Sequence, residues 1–238
     1  MRGLGTLLNM ALIVAGGLLG MAGGSRLKEN LRETLMTANA VAVLFVGMGG
    51  ALSKMLVMEN GQLQTNGTMM MIISMSVGAL LGELLDLDGK FVRFGEWLKI
   101  RTGNSRDAGF VGAFVTASLT VCIGAMAIVG SIEDGINGDY SILLAKGVLD
   151  FVIILVMTSS LGKGALFSFI PVGIFQGSVT LLAGAARPLI TEAAMSNLSY
   201  VGSILIFCVG VNLLFDKRIR VANLLPAIFA AAAMAFFI

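Results

Sequence analysis

The stretch Ser141-Ile-Leu-Leu-Ala-Lys146-Gly-Val-Leu-Asp150-Phe-Val-Ile-Ile-Leu-Val-Met157 is apolar except for one lysine and one aspartate. Continued to residue 161, it is long enough to cross about 30 Å of hydrocarbon as an α-helix. An ionisable side chain near the middle of such a helix costs roughly 2.5–3.5 kcal/mol on insertion scales. Asp150 therefore needs a partner or a function. Lys146, one helical turn earlier on the same face, is the expected partner.

The composition indicates that the whole chain, like this stretch, belongs in a membrane. Of 238 residues, 57% are hydrophobic and only 13% are charged, whereas soluble domains average about 25% charged residues. The apolar residues form unbroken blocks of membrane-spanning length, which excludes the alternating pattern of a barrel strand. The sequence predicts an all-α, polytopic helical membrane protein.

The apolar blocks predict about eight transmembrane helices. They lie near residues 4–23, 35–54, 68–86, 108–130, 141–161, 165–186, 198–215 and 221–238. We expect a single integral membrane domain, divided into a three-helix unit (4–86), a central helix pair (108–161) and a second three-helix unit (165–238). A further segment, 91–100, has the pattern of an interfacial helix or of an ordinary connector helix. The longest polar connection, near 87–107, is too short to fold as a soluble domain.

The basic residues favour one orientation of these helices. Eight spans place 12 of the 16 lysines and arginines on one side of the membrane, which the positive-inside rule makes cytoplasmic. Both termini are then outside. The net charge of +2 follows from this topology and does not indicate nucleic-acid binding.

Two parts of the chain resemble each other. Residues 14–26 align with 175–187, and residues 41–49 align with 204–212. The alignment pairs Gly16 with Gly177, Gly23 with Gly184, Arg26 with Arg187 and Gly47 with Gly210. Spans 1–3 and 6–8 would then be inverted repeats around spans 4 and 5, a common construction in secondary transporters. Glycine-rich helices also align by chance, which is the alternative.

Glycines at four-residue spacing indicate close helix packing, either within the chain or in a homodimer. The residues concerned are Gly16, Gly20, Gly24, Gly78, Gly82, Gly173 and Gly177.

The candidate substrate or ion pathway consists of polar side chains at membrane depth. They are Asp150, Lys146, Asn9, Asn212, Asn223 and Glu83. For the ion pair, the alternative to an ion or proton site is a structural contact that orients the fifth span. For the amides, the alternative is interhelical hydrogen bonding. Glu83 either lines a pathway or extends to the membrane surface. Residues 131–140 are predicted to form an acidic external loop.

Several chemistries are excluded by residue type. The chain has no histidine, which removes His-based metal sites and Ser-His or Cys-His nucleophiles. Cys122 and Cys208 both fall in predicted spans and are read as small apolar fillers. We therefore expect no catalytic residues, no metal, no cofactor and no enzyme activity.

The segment from Glu133 to Phe151 is similar to the central signature of a bacterial membrane family, the YqgA/YdfK-like proteins of unknown function. The opening Gly5-Thr-Leu-Leu-Asn9, the segment 26–35 and Asn223-Leu-Leu-Pro226-Ala227 also resemble that family. The resemblance covers essentially the whole chain. It implies a multi-pass protein of the bacterial inner membrane, with a role in transport often suggested and no established substrate.

Together these features predict a transporter or channel for a small solute or ion, embedded in the lipid bilayer, with glycine faces that suit a homodimer. The alternative is a membrane scaffold or partner-binding subunit that transports nothing, in which the ion pair and the glycines are purely structural.

Overall fold

The computed structural model describes residues 2–24, 28–123, 125–183, 191–215 and 219–237. Within these ranges the chain is helical apart from one β-hairpin and the connecting segments, so the all-α class is confirmed. The α-helices are α1 (Leu4–Gly24), α2 (Glu29–Met55), α3 (Thr68–Leu85), α4 (Leu87–Arg101), α5 (Phe110–Cys122), α6 (Ala125–Asn137), α7 (Ser141–Leu161), α8 (Phe169–Leu181), α9 (Glu192–Phe215), α10 (Val221–Leu224) and α11 (Pro226–Met234). A 3-10 helix, Lys163–Ser168, precedes α8, and strands β1 (Leu56–Glu59) and β2 (Gln62–Thr65) pair antiparallel.

The helices group into two compact units. The first unit comprises Met1–Asn39, Phe91–Cys122 and Met126–Arg187. The second unit comprises Ala40–Lys90, Ile123–Ala125 and Pro188–Ile238. The first unit thus contains α1, α5, α7 and α8, and the second contains α3, α9, α10 and α11. The three-part division predicted from the sequence stays a prediction.

In the described ranges, five helical segments are long and apolar enough to cross a membrane. They are Leu4–Gly23, Thr68–Leu85, Ser141–Leu161, Lys163–Leu181 and Glu192–Phe215. A sixth is present if α5 and α6, which meet at a bend of 63°, form one broken span. The apolar part of α2, Ala40–Met55, is shorter, and α10 and α11 divide the last predicted span. The count of eight stays a prediction.

Apart from Met70, the helix α3 carries most of its large apolar side chains outward. Its buried residues, four apart, are Met70, Ser74, Gly78 and Gly82. In contrast, Leu84 is 75% exposed. Small residues inside and leucines outside suit a helix whose outer face is covered by lipid and whose inner face permits close packing.

The structure differs from two expectations about the middle of the chain. The predicted span 108–130 is not continuous, because α5 ends at Cys122 and α6 turns away from it. The predicted loop 131–140 is largely helical, because α6 extends to Asn137. The side chain of Asp134 is fully buried in this helix, whereas an external loop would have exposed it.

A candidate ion-pair site in the first unit

Helices α1 and α7 are in backbone contact through glycines. A side chain at Gly16 would collide with the main-chain oxygen of Phe151, and one at Gly20 with that of Leu155. From the other side, a side chain at Gly147 would come within 3.2 Å of the Cα of Asn9. Because the backbones are this close, the polar side chains between α1 and α7 are held away from lipid.

At this contact Lys146 and Asp150 form a buried ion pair on α7. Their residues are only 6% and 3% exposed. The Lys146 ammonium also donates to the main-chain oxygen of Val121, at 2.7 Å. That oxygen lies in the last turn of α5, where carbonyls have no partner within the helix and carry a partial negative charge. The end of α5 therefore supplies the second acceptor for Lys146.

Two side-chain amides extend the site from Asp150 toward α8. The Asn9 amide nitrogen donates to the Gln176 side-chain oxygen at 3.2 Å, and the Asn9 side chain also hydrogen-bonds to the Asp150 carboxylate. Asn9 is fully buried and Gln176 is 1% exposed. Three helices, α1, α7 and α8, thus contribute one continuous set of polar groups.

Many buried polar atoms around this site have no hydrogen-bond partner. Of nine such side-chain atoms found in the described part of the chain, eight belong to the first unit. They are Thr6 Oγ1, Asn9 Oδ1, Ser118 Oγ, Asp134 Oδ1, Thr158 Oγ1, Ser168 Oγ, Gln176 Nε2 and Thr180 Oγ1. Leaving a buried polar atom unpaired costs about 1–3 kcal/mol, so such a concentration indicates a place for water or an ion.

These atoms lie on both sides of Asp150 along α7. Gly20 contacts Thr158, which places that hydroxyl toward the end of α7. Asp134 binds the main-chain nitrogen of Gly5, which places the carboxylate near the start of α1. The unpaired groups therefore extend along much of the length of the unit, with the ion pair between them.

The polar residues of the second unit are arranged differently. Glu83, in the last turn of α3, accepts from Arg220 at 2.5 Å and from the amide of Asn223 at 2.6 Å. The Asn223 oxygen accepts from the main-chain nitrogen of Asp88 at 2.7 Å. The Arg220 and Glu83 side chains are 61% and 60% exposed, so this ion pair is solvated rather than enclosed. Burial raises the pKa of Asp88 above 3.8, opposed by the nearby charge of Arg220.

Asn212 holds a turn of the main chain. Its amide nitrogen donates to the Ile219 oxygen at 2.8 Å, and its oxygen accepts from the Ile219 nitrogen at 2.9 Å. Both ends of this amide are therefore occupied by backbone, as expected for a structural role.

The predicted pathway residues thus divide between the two units. The first unit brings together Lys146, Asp150 and Asn9, while Glu83, Asn223 and Asn212 belong to the second. Gln176 was not among the predicted pathway residues. Sequence reasoning missed the hydroxyls, because single Ser or Thr residues in apolar helices usually bond to their own backbone, and it placed Asp134 in an external loop.

The predicted packing glycines also differ among themselves. Gly78 and Gly82 lie against the backbone of Ala227 and Asn223, and Gly173 lies against the side chain of Met10. A side chain at Gly177 would meet nothing within 4 Å. Gly24 ends α1. Of the residues aligned as repeats, Arg26, Gly184 and Arg187 lie outside the described residues.

No group of three or more His, Cys, Asp or Glu side chains in the described ranges has the arrangement of a metal site.

Comparisons with known proteins agree with the membrane assignment. A family model described as "Protein of unknown function (DUF554)" matches residues 4–236. The "Uncharacterized membrane protein YdfK" of Bacillus subtilis (strain 168) is 27% identical over 234 residues, covering 98% of this chain and 96% of the relative. The "Uncharacterized protein YqgA" of Escherichia coli (strain K12) is 28% identical over 232 residues, covering 96% and 94%. No solved structure matches the chain.

Proposed function

Since the chain belongs to the DUF554 family of proteins of unknown function, as its sequence resemblance predicted, we propose a function from its geometry: a transporter or channel for a small ion or solute. The proposed route passes through the first unit at Lys146 and Asp150. The observation that carries the proposal is the line of buried, unpaired polar atoms on both sides of a buried ion pair.

The ion pair suits exchange with a passing ion because each of its two side chains has a hydrogen-bond partner besides the other. Lys146 has a second acceptor, the Val121 oxygen, and Asp150 has a second donor, the Asn9 amide. A cation arriving at Asp150 would release the ammonium of Lys146, which remains bound at the end of α5. Intramembrane charges are expensive and commonly mark ion or proton pathways. A broken helix end beside the site is a recurring feature of transporters.

The proposal includes the finer topology: about eight spans, inverted repeats, and a bacterial inner-membrane location with both termini outside. Packing in the second unit supports the repeats. Gly47 on α2 lies against the backbone of Phe207 on α9, and its aligned counterpart Gly210 lies against Leu44 on α2. Helices proposed as equivalents thus contact each other through aligned glycines, as expected around a pseudo-two-fold axis.

The test is charge movement in proteoliposomes on a solid-supported membrane, screened with protons, alkali ions and small metabolites. We expect a current in the native protein that is lost in Asp150→Asn and in the double variant Lys146→Met/Asp150→Leu. Glu83→Gln, in the second unit, is the matched control and should retain the current. Electroneutral transport is covered by tracer uptake with the same variants. Flux that is unchanged in both Asp150 variants would contradict the site.

One observation favours the rival function, a membrane scaffold or partner-binding subunit. Lys146 is already satisfied by Asp150 and Val121, and a complete ion pair requires no mobile ion. A scaffold predicts no flux of any solute. It also predicts that the Lys146→Met/Asp150→Leu variant still binds its partner proteins as well as the native protein does.

A further inference from the structure

A second carboxylate in the first unit is buried and only half satisfied. Asp134 is fully buried on α6, and its Oδ2 accepts from the main-chain nitrogen of Gly5 at 3.0 Å. Its Oδ1 has no partner. The Gly5 contact explains one oxygen as a cap on the first turn of α1. The other oxygen has no such explanation.

The charge of this carboxylate is also uncompensated by the residues that the structure describes. No ion pair joins Asp134 to a lysine or arginine there, and Arg2 donates instead to the main-chain oxygen of Ile136 at 3.5 Å. Buried charges in proteins are normally paired or bind an ion. The partial charge at the start of α1 offsets the carboxylate only in part.

Two threonines with unpaired hydroxyl oxygens belong to the segments that contact α6 at Asp134 and Gly135. Thr6 follows Gly5 on α1, and Thr180 belongs to the α8 turn whose main-chain oxygen is in contact with Gly135. In contrast, Ser131 on α6 and Ser178 on α8 bond to a carbonyl four residues earlier, at 2.5 and 2.6 Å. Thr6 and Thr180 do not, and both oxygens are buried without a partner. Three helices that contact one another here thus each carry a buried, unpaired oxygen at or next to the contact with α6.

We infer that Asp134, Thr6 and Thr180 form a binding site for a monovalent alkali cation between α1, α6 and α8. Oxygen donors suit hard cations, and one carboxylate neutralises one positive charge. The site is distinct from the Lys146–Asp150 pair, and water completes the coordination. Its physiological meaning rests on the proposed function, because it would place a cation at one end of the proposed route. Binding itself is measurable without transport.

The experiment is thermal unfolding of the full chain in detergent, with NaCl replaced stepwise by choline chloride at constant ionic strength. We expect Tm to rise with Na⁺, by roughly 5–10 °C at about 100 times the dissociation constant. Asp134→Asn retains the acceptor for Gly5 but removes the charge, and should abolish the Na⁺ dependence. Glu133→Gln removes the neighbouring carboxylate, which accepts from the side chain of Asn137 on α6, and should leave the dependence intact.

A milder variant keeps the test decisive if Asp134→Asn does not fold. Thr180→Val leaves the carboxylate in place and should weaken the apparent Na⁺ affinity roughly tenfold. A native protein whose Tm is the same in NaCl and in choline chloride would overturn the site. A Na⁺-induced rise in Tm that is as large in Asp134→Asn and Thr180→Val as in native protein would also overturn it. A Na⁺ shift without any flux would leave this site standing and remove only the transport proposal.

Discussion

Each unit contains an ion pair, but Lys146 and Asp150 of the first unit are buried, whereas Arg220 and Glu83 of the second are 61% and 60% exposed. The surroundings differ in the same way. Among the described residues, the first unit holds eight buried polar atoms without partners and the second holds one, the Tyr200 hydroxyl, while both ends of the Asn223 and Asn212 amides are occupied. The second unit thus uses its polar groups to hold its own backbone. The first unit leaves polar groups open at membrane depth, which is where a route for a solute would need them.

The largest expected effect separates the two ion pairs. Lys146→Met should destabilise the protein by about 3–5 kcal/mol, because Asp150 would remain charged and buried. Arg220→Gln should cost only about 0–1 kcal/mol, since its pair is solvated. Thermal unfolding in detergent measures both. Adding Asp150→Leu to Lys146→Met should recover most of the loss, and equal losses for Lys146→Met and Arg220→Gln would break the comparison.

The next effect concerns glycines, where we expect the two units to behave alike. Gly16→Ala and Gly82→Ala should each cost about 1–3 kcal/mol, because the new methyl groups meet main-chain oxygens of Phe151 and Asn223 that cannot move independently. Gly177→Ala is the matched control. Its site is open, so alanine should stabilise the helix by about 0.5–1 kcal/mol. A loss of stability at Gly177 would point to a contact outside the single chain.

A smaller contrast between the two units follows from the unpaired atoms. Thr158→Val removes a buried hydroxyl that has no protein partner and that is hydrated along the proposed route, so it should change stability by less than about 1 kcal/mol. Asn212→Leu removes two hydrogen bonds to Ile219 and should lower stability by about 1–3 kcal/mol. Denaturation of both variants under one set of conditions tests the contrast. A loss for Thr158→Val as large as that for Asn212→Leu would contradict the contrast.

The smallest expected effects are changes with pH at two exposed or partly exposed carboxylates. In the first unit, hydrogen bonds from the hydroxyl and main-chain nitrogen of Ser141 lower the pKa of Asp139 below 3.8. The stability that this contributes is present above that value and is lost as pH falls through the lowered pKa. In the second unit, burial raises the pKa of Asp88, so its contribution is present below 3.8 and is lost as pH rises through the raised pKa.

Substitution separates these two responses. Comparing Tm from about pH 3 to 7, the difference between native protein and Asp139→Ala should shrink toward acid. Native protein should lose stability relative to Asp88→Asn as pH rises over the same range. Parallel pH curves for native protein and either variant would show that the carboxylate concerned does not couple to folding.

Much of the fold could be predicted from the sequence because it depends on local patterns. The helix α7 occupies the predicted range, 141–161, and the Lys146–Asp150 pair follows from four-residue spacing on that helix. The hairpin was missed although its signal is present. Asn60-Gly61 has positive φ at both residues, 52° and 75°, which is the requirement of the tightest hairpin turn.

The rest of the site depends on contacts between distant segments. Nothing local in the sequence shows that the Val121 oxygen is free for Lys146, because this requires α5 to end there. The burial of Asp134 depends on α6 continuing as a helix and on Gly135 allowing α8 to approach. Residues 131–140 carry several acidic side chains, and this local composition favours an external loop when no tertiary contact is known.

The central claim is that water and ions reach the line of polar groups in the first unit, and cysteine accessibility tests it without knowledge of the solute. In a Cys122→Ala/Cys208→Ala background, single cysteines replace Thr6, Asn9 and Ser168, and a small charged thiol reagent is applied to protein in liposomes. Ile13→Cys and Val172→Cys are matched controls, because both side chains are fully buried and apolar. We predict modification at the three polar positions and none at the two apolar ones. Equal protection of all five positions would contradict the account.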